Sequence, residues 1–105
     1  MNTELKNNIK ILQQCVVDCR KCLTEMAGTE SFNDCPLCCI QCIDACEVVI
    51  KMITSKSNYM KQYALLCAEI CDYCADHCDE HSHEHCKLCA KTCRECAKAC
   101  RDLAA

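Results

Sequence analysis

The sequence predicts an all-α protein, an up-down-up-down antiparallel four-helix bundle with a core lined by cysteine. Cysteine accounts for 17 of the 105 residues. These cysteines recur three or four positions apart in four clusters, which is the spacing of one face of a helix. Glycine and proline occur once each, so few positions can interrupt a helix. Short polar breaks separate the clusters, and short connections make sequential helices antiparallel neighbours.

Each predicted helix carries one cysteine cluster. We expect the helices at about residues 3–27, 35–53, 58–79 and 84–103. In the first break, Asn33 or Asp34 is a candidate N-cap, and Pro36 falls in the first turn of the second helix. The other breaks are the polar runs 54–58 and 79–84. The clusters are Cys15, Cys19, Cys22; Cys35, Cys38, Cys39, Cys42, Cys46; Cys67, Cys71, Cys74, Cys78; and Cys86, Cys89, Cys93, Cys96, Cys100.

Length and charge narrow the class of protein. A chain of 105 residues corresponds to a single domain, 1–105. The net charge is −3, and basic residues are interleaved with acidic ones, so neither nucleic acid nor a membrane is an expected partner. The sequence opens with MNTELKNNIKILQQC, which lacks a signal-peptide pattern and predicts a cytoplasmic location.

Dense cysteine in the cytoplasm indicates metal binding more than disulfides, because thiols there are kept reduced. The odd number of cysteines agrees, since at least one would stay unpaired. The alternative is a secreted disulfide scaffold whose signal has been removed. Such scaffolds are rich in loops, glycine and proline, and this sequence is not.

The last cluster shows how cysteine is placed. It reads Cys-x-x-Cys-Ala-x-x-Cys-x-x-Cys-Ala-x-x-Cys, with cysteine where a helical bundle has its apolar a and d residues. The intervening charged residues point away from the sulfurs, which predicts an otherwise uncharged interior. These are Lys87, Lys91, Arg94, Glu95 and Lys98.

The alternating helix directions assign different residues to the two ends of the bundle. One end should gather the histidines, Met26 nearby, and the sulfurs Cys22, Cys35, Cys78 and Cys86. The opposite end should be closed by hydrophobic residues. These are Ile11, Leu12, Val49, Ile53, Met60 and Tyr63.

Thiolates at this spacing favour soft or borderline metal ions. Residues i and i+4 share a helical face, so their sulfurs can converge on one ion. Cu(I), Zn(II) and iron–sulfur clusters are the metal centres that thiolates most often bind. About 17 Cu(I) ions would neutralise 17 thiolates, whereas four Zn(II) sites would leave about eight buried negative charges. The pairs are Cys15/Cys19, Cys35/Cys39, Cys38/Cys42, Cys42/Cys46, Cys67/Cys71, Cys74/Cys78, Cys89/Cys93 and Cys96/Cys100.

The histidines suggest a metal entrance. His81 and His85 lie close to cysteine stripes, His83 lies at the apex of the turn, and neutral imidazole is a copper ligand. His77 falls on the flank of its helix and should face solvent. The alternative is that this histidine-rich turn is only a polar, solvated connection.

The stretch from Cys74 to Ala90, CADHCDEHSHEHCKLCA, resembles the four-helix-bundle copper storage proteins, and the similarity covers essentially the whole chain. The resemblance implies a cytosolic protein that holds many Cu(I) ions in a preformed bundle. It also implies filling through a His- or Met-rich end, association as a homotetramer, and a copper chaperone or low-molecular-weight Cu(I) donor as partner. The exported branch of the family carries a leader, and no such pattern occurs here.

Alternative functions remain open from the residues. They are a Zn(II) or Cd(II) thiolate buffer, an iron–sulfur electron carrier, and a thiol redox module. The cysteine run typical of bacterial ferredoxins is absent, and no residue set suggests an enzyme. Cysteine can also act simply as a small buried hydrophobe. Apolar residues off the stripes would form either an association surface or edge packing between helices. They include Ile40, Ile43, Tyr73 and Leu88.

Overall fold

The computed structural model describes residues 1–29 and 33–105, and these residues form four helices. Helix α1 spans Thr3–Met26, α2 spans Cys35–Thr54, α3 spans Met60–Asp79 and α4 spans Glu84–Ala104. The predicted all-α bundle is therefore confirmed. The main difference in boundaries is the start of α3, which lies two residues later than expected.

The helix ends follow local capping chemistry. Asn2 caps α1, where its Oδ1 accepts a hydrogen bond from the Leu5 N–H at 2.8 Å. At the start of α2, Asp34 occupies the N-cap position without a side-chain capping bond. Asn33 supplies the acceptor instead, since its Oδ1 lies 2.9 Å from the Cys35 nitrogen. The prediction left Asn33 and Asp34 as alternatives: Asp34 occupies the N-cap position, and Asn33 provides the side-chain acceptor.

Helix α2 ends in a Schellman motif. The Lys56 N–H donates to the Ile53 carbonyl at 3.2 Å, and the Ser57 N–H donates to the Met52 carbonyl at 2.9 Å. This geometry places Lys56 at φ 55°, in the left-handed region. The Tyr59 N–H then donates to the Ser57 hydroxyl at 3.0 Å, and this turn delays the start of α3 to Met60.

The helices close into a ring in which α1 and α3 each pack against both α2 and α4. The resulting bundle measures 41 × 21 × 19 Å. Ion pairs link neighbouring helices on the outside. Arg20 of α1 pairs with Glu47 of α2 at 2.9 Å, and Arg101 of α4 pairs with Asp72 of α3 at 2.6 Å. Exposed ion pairs of this kind contribute little to the free energy of unfolding, so most of the stability comes from the buried faces of the helices.

Aliphatic side chains fill the end of the bundle that lies away from the histidines. Leu12 and Val49 are fully buried there, and Ile53 is nearly so. Tyr63 was expected in this closure, but its side chain is 41% exposed because it lies on the flank of α3 toward α2. For Ile43 both an exposed surface and packing between helices were open, and the structure buries it at 4% exposure within the core. Exact rotation about the helix axis, which spacing fixes only loosely, explains the exposure of Tyr63.

None of the helices in the described part of the chain is both long and apolar enough to cross a lipid bilayer.

Candidate metal centre

All 17 cysteines are unpaired and buried inside the bundle. Their sulfurs form a band that runs from the histidine end toward the hydrophobic end. The shortest contacts join different helices: Cys35 to Cys78 at 3.2 Å, Cys42 to Cys71 at 3.2 Å, and Cys46 to Cys96 at 3.5 Å.

Contacts within one helix are longer than the shortest contacts between helices. Three of the expected pairs approach to 4.0, 3.8 and 3.9 Å, and they are Cys15/Cys19, Cys67/Cys71 and Cys89/Cys93. On one helix, residues i and i+4 have Cβ atoms about 5–6 Å apart. Two facing helices can bring short side chains closer together than two neighbouring turns of one helix can. Packing between helices therefore decides which sulfur pairs are closest.

The sulfurs form overlapping groups of four. Within each group the Sγ atoms all lie within 4.8 Å of one another. Cys15 belongs to two such groups, and so do Cys19 and Cys39. Because sulfurs are shared, neighbouring metal ions would be bridged by common thiolates. The groups include Cys15/Cys19/Cys42/Cys93, Cys15/Cys46/Cys71/Cys96, Cys19/Cys74/Cys89/Cys93, Cys22/Cys35/Cys39/Cys78 and Cys39/Cys74/Cys78/Cys89.

Burial holds two thiols of this band, those of Cys38 and Cys86, in their neutral form. Burial raises the pKa of Cys38 to about 12, with the neighbouring Cys74 as a further cause. Burial also raises the pKa of Cys86 to about 11. The buried polar side chains of residues 1–29 and 33–105 include no Lys or Arg that would balance a thiolate. A metal cation therefore replaces thiol protons when it binds.

One acidic side chain departs from the uncharged interior that the sequence predicted. Asp18 lies on α1 between the turns that carry Cys15 and Cys22, and it is only 5% exposed. Its Oδ1 accepts a hydrogen bond from the Gln14 amide at 3.1 Å, while its Oδ2 has no partner among the described residues. The spacing of three residues from Cys15 could have indicated this position, because it falls on the edge of the same helical face.

His85 is the histidine in direct contact with the sulfur band. Its Nδ1 lies 3.4 Å from the Cys22 sulfur and 3.5 Å from the Cys86 sulfur. The two sulfurs are 3.7 Å apart. This arrangement brings one imidazole nitrogen and two thiols together where the band ends, as the prediction of a histidine end required.

The other histidines lie at or near the turn between α3 and α4. The exposed His83 ring stacks on the His85 ring with centroids 5.2 Å apart, and the His81 and His83 centroids are 6.4 Å apart. His81 is buried, with Nδ1 3.2 Å from the His77 carbonyl oxygen. His77 is half-buried, because its ring packs on Tyr73 at 4.2 Å. The expectation that His77 simply faces solvent is therefore corrected.

Asn33 holds the start of α2 against the end of α3, a role that the sequence did not reveal. Its amide nitrogen donates to the His77 carbonyl at 3.0 Å and to the Glu80 carboxylate at 3.3 Å. Its Oδ1 meanwhile accepts from the Cys35 N–H. As a result Cys35, the first residue of α2, lies beside Cys78 near the end of α3.

Known proteins give the context of this site. The family model for copper storage proteins, Csp, matches residues 1–105. A solved Cu(I)-bound copper storage protein, BsCsp3, is similar with a TM-score of 0.92 and 32% identity, covering 98% of this chain and 100% of that one. An apo Csp3 from Bacillus subtilis has a TM-score of 0.91 and 34% identity, covering 95% of this chain and 98% of that one. No curated protein sequence matches significantly. The matched length and the cysteine-lined bundle together show that this chain belongs to the copper storage protein family.

Proposed function

We propose that this chain is a non-enzymatic store that holds many Cu(I) ions on its cysteine thiolates. The observation that carries the proposal is the continuous band of 17 buried thiols, in which single sulfurs belong to more than one group of four. The resemblance to both an apo and a Cu(I)-bound Csp3 supports a bundle that forms before metal arrives.

Charge and geometry favour Cu(I) over Zn(II). A zinc site built from these cysteines alone needs four thiolates and leaves a negative charge of about two per site. The overlapping sulfur groups cannot all be filled in that way, because zinc ions would compete for shared cysteines such as Cys15. Cu(I) carries a single charge and a soft preference for thiolates, so shared sulfurs and near-neutral filling are compatible.

An anaerobic titration of the reduced protein tests the proposal. Cu(I) is added in competition with a chromophoric chelator, and tightly held metal is counted per chain. We expect roughly ten or more equivalents, since each ion needs only two or three sulfurs and these can be shared. Circular dichroism should show the same helicity before and after filling. Saturation at one to four ions, or a chain that becomes helical only with metal, would contradict a preformed copper store.

We also propose that Cu(I) enters at the histidine end, with His81, His83 and His85 as the surrounding ligands. The contacts of His85 with Cys22 and Cys86 support this route, because an ion could pass from imidazole to thiolate within one short step. His83 is exposed and stacks on His85, so it is suited to meet an ion first.

Uptake kinetics of two histidine variants test the entrance. His85→Ala should slow the first phase of Cu(I) uptake severalfold and leave the final number of ions almost unchanged. His77→Ala is the matched control, since His77 lies at the same end but contacts Tyr73 rather than a cysteine. Equal rates for the two variants would contradict entry past His85.

Self-association into a homotetramer is a further part of the proposal. Apolar side chains stay exposed on the described surface, among them Ile40, Tyr73 and Leu88. An apolar groove of about 300 Å³ lies between α2 and α3 and is lined in part by Tyr63, Leu66 and Ile70. Exposed apolar surface of this kind favours burial against a second copy.

Two adjacent leucines allow a matched test of this surface. Leu66 lines the groove and is 52% exposed, whereas Leu65 does not line it and is 51% exposed. Leu66→Gln should shift the mass measured by analytical ultracentrifugation toward the monomer, and Leu65→Gln should not. A monomeric wild-type protein would contradict association.

We propose a cytoplasmic location and a Cu(I) chaperone or low-molecular-weight Cu(I) complex as donor. The free thiols support a reducing compartment, since thiols at this density oxidise readily in an oxidising one. Ligand exchange from a carrier also avoids free Cu(I). Fractionation of cells that express a tagged chain tests the location, and transfer from a purified carrier tests the donor.

A further inference from the structure

Two pairs of sulfurs approach more closely than the other sulfur contacts of the described chain. Cys35 and Cys78 are 3.2 Å apart, and so are Cys42 and Cys71. Both pairs join α2 to α3. A disulfide bond has a sulfur separation of about 2.05 Å, so either pair would need to close by only about 1.2 Å.

The two pairs differ in where they lie along their helices. Cys35 is the first residue of α2, and Cys78 is the second-to-last residue of α3. Cys42 and Cys71 lie in the middle of the same helices, about 10 Å deeper at 1.5 Å per residue. Helix ends open locally at a lower free energy than helix centres, so a small oxidant reaches the first pair more often.

One further feature favours reaction between Cys35 and Cys78. Asn33 hydrogen-bonds to the Cys35 N–H, the His77 carbonyl and the Glu80 carboxylate, and this keeps the two helix ends together.

We propose that Cys35 and Cys78 form a peroxide-sensitive thiol pair, whose disulfide joins the start of α2 to the end of α3 and removes two sulfurs from the metal network. Both sulfurs belong to the group Cys22/Cys35/Cys39/Cys78 beside the histidine end. The oxidised chain therefore keeps its deeper sulfurs but loses half of this group.

The chemistry balances with a hydroperoxide as the oxidant. Hydrogen peroxide first converts one thiol to a sulfenic acid and releases one water. The second thiol then displaces the hydroxyl group as water, and the sulfur–sulfur bond forms. Two electrons leave the two sulfurs, and the peroxide is reduced to two waters. A dithiol reductant reverses the bond by exchange.

Disulfide mapping of the metal-free protein tests the proposal. Reduced protein is treated with an equimolar amount of hydrogen peroxide, and the remaining thiols are blocked with N-ethylmaleimide in denaturant. Both candidate disulfides would join the same two tryptic peptides, so digestion uses chymotrypsin, which cleaves after Leu37 and Tyr73 and separates them. We expect the Cys35–Cys78 peptide in at least about tenfold excess over Cys42–Cys71 at early times. Equal amounts of the two, or cross-links spread over many pairs, would overturn the proposal.

Two serine variants give an independent readout through the rate of peroxide consumption. Cys35→Ser should remove the fast phase, whereas Cys42→Ser should keep it, and circular dichroism checks that both are folded. A fast phase that survives Cys35→Ser and is lost in Cys42→Ser would place the reactive pair in the middle of the bundle.

The loss of metal ligands is measured by Cu(I) titration before and after oxidation. The oxidised protein should bind fewer ions, and dithiothreitol should restore the original number. Unchanged capacity would contradict the loss of two ligands. This measurement rests on the proposed copper storage function, and a chain that binds little Cu(I) before oxidation would refute that function and not the metal-free disulfide map.

Discussion

The dependence of Cu(I) affinity on pH follows directly from the buried thiols. The pKa of Cys86 is raised to about 11 and that of Cys38 to about 12 by burial, so both carry protons in the metal-free protein below these values. Each thiol must lose its proton before it binds Cu(I) as a thiolate, and the affinity for Cu(I) therefore falls as the pH falls. A change from pH 7.5 to 6.5 is the perturbation.

The magnitude depends on how many thiols serve each ion. An early ion held by two thiols releases two protons, so its apparent affinity should fall about a hundredfold per pH unit, or about 2.7 kcal/mol. In a full store with nearly one ion per thiol, the average release is about one proton per ion and the fall is about tenfold. Loading all 17 cysteines would release 17 protons per chain.

Two assays check this dependence. Chelator competition at each pH, corrected for protonation of the chelator, gives the slope for the first ions. Titration in weakly buffered solution with an indicator dye counts the protons. An affinity that changes less than about twofold per pH unit would refute the reasoning, because thiols that are already ionised, or ligands other than thiols, would have to hold the metal.

Further substitutions give three more predictions. Leu12→Ala leaves a cavity at a fully buried site at the hydrophobic end. Urea unfolding of the metal-free protein should therefore show a loss of about 3 kcal/mol in the free energy of unfolding, while the copper capacity stays unchanged. A smaller capacity would contradict the view that the hydrophobic end takes no part in metal binding. Cys15→Ser should lower the capacity by about two ions, because Cys15 belongs to at least two sulfur groups. A loss of one ion or none would argue against shared sulfurs. Lys56→Gly should stabilise the metal-free protein by about 1 kcal/mol and raise its melting temperature, because glycine adopts the left-handed conformation without strain. A lower melting temperature would refute this account of the turn.

The predictions from the sequence succeeded where helical periodicity controls the outcome. Stripes of cysteine at three- and four-residue spacing predicted four helices and the side of each that is buried, and both are confirmed. The resemblance to copper storage proteins is confirmed by the match over the whole chain. Errors occurred at the edges of the stripes, where a rotation of a few tens of degrees decides burial. Tyr63 was placed inside but is 41% exposed, and the spacing left open whether Ile43 is exposed or packed between helices.

The site was predicted in its composition but not in its contacts. Cys22, Cys35, Cys78 and Cys86 were expected together, and they are: the first three share one sulfur group, and Cys86 lies 3.7 Å from Cys22. The individual sulfur contacts were not predicted. Metal ligation by the 17 cysteines and by His81, His83 and His85 stays a prediction.

The sequence by itself determined the helices, their antiparallel order, the cysteine-lined core and the histidine end, because these depend on local spacing and short connections. Only the tertiary structure decided which sulfurs are neighbours, that Asp18 is buried, and that His85 is the histidine in contact with Cys22 and Cys86. These features depend on how four helices rotate and shift against one another to fill a common core. Packing sets such ångström-scale offsets, and residue spacing along one helix does not contain them.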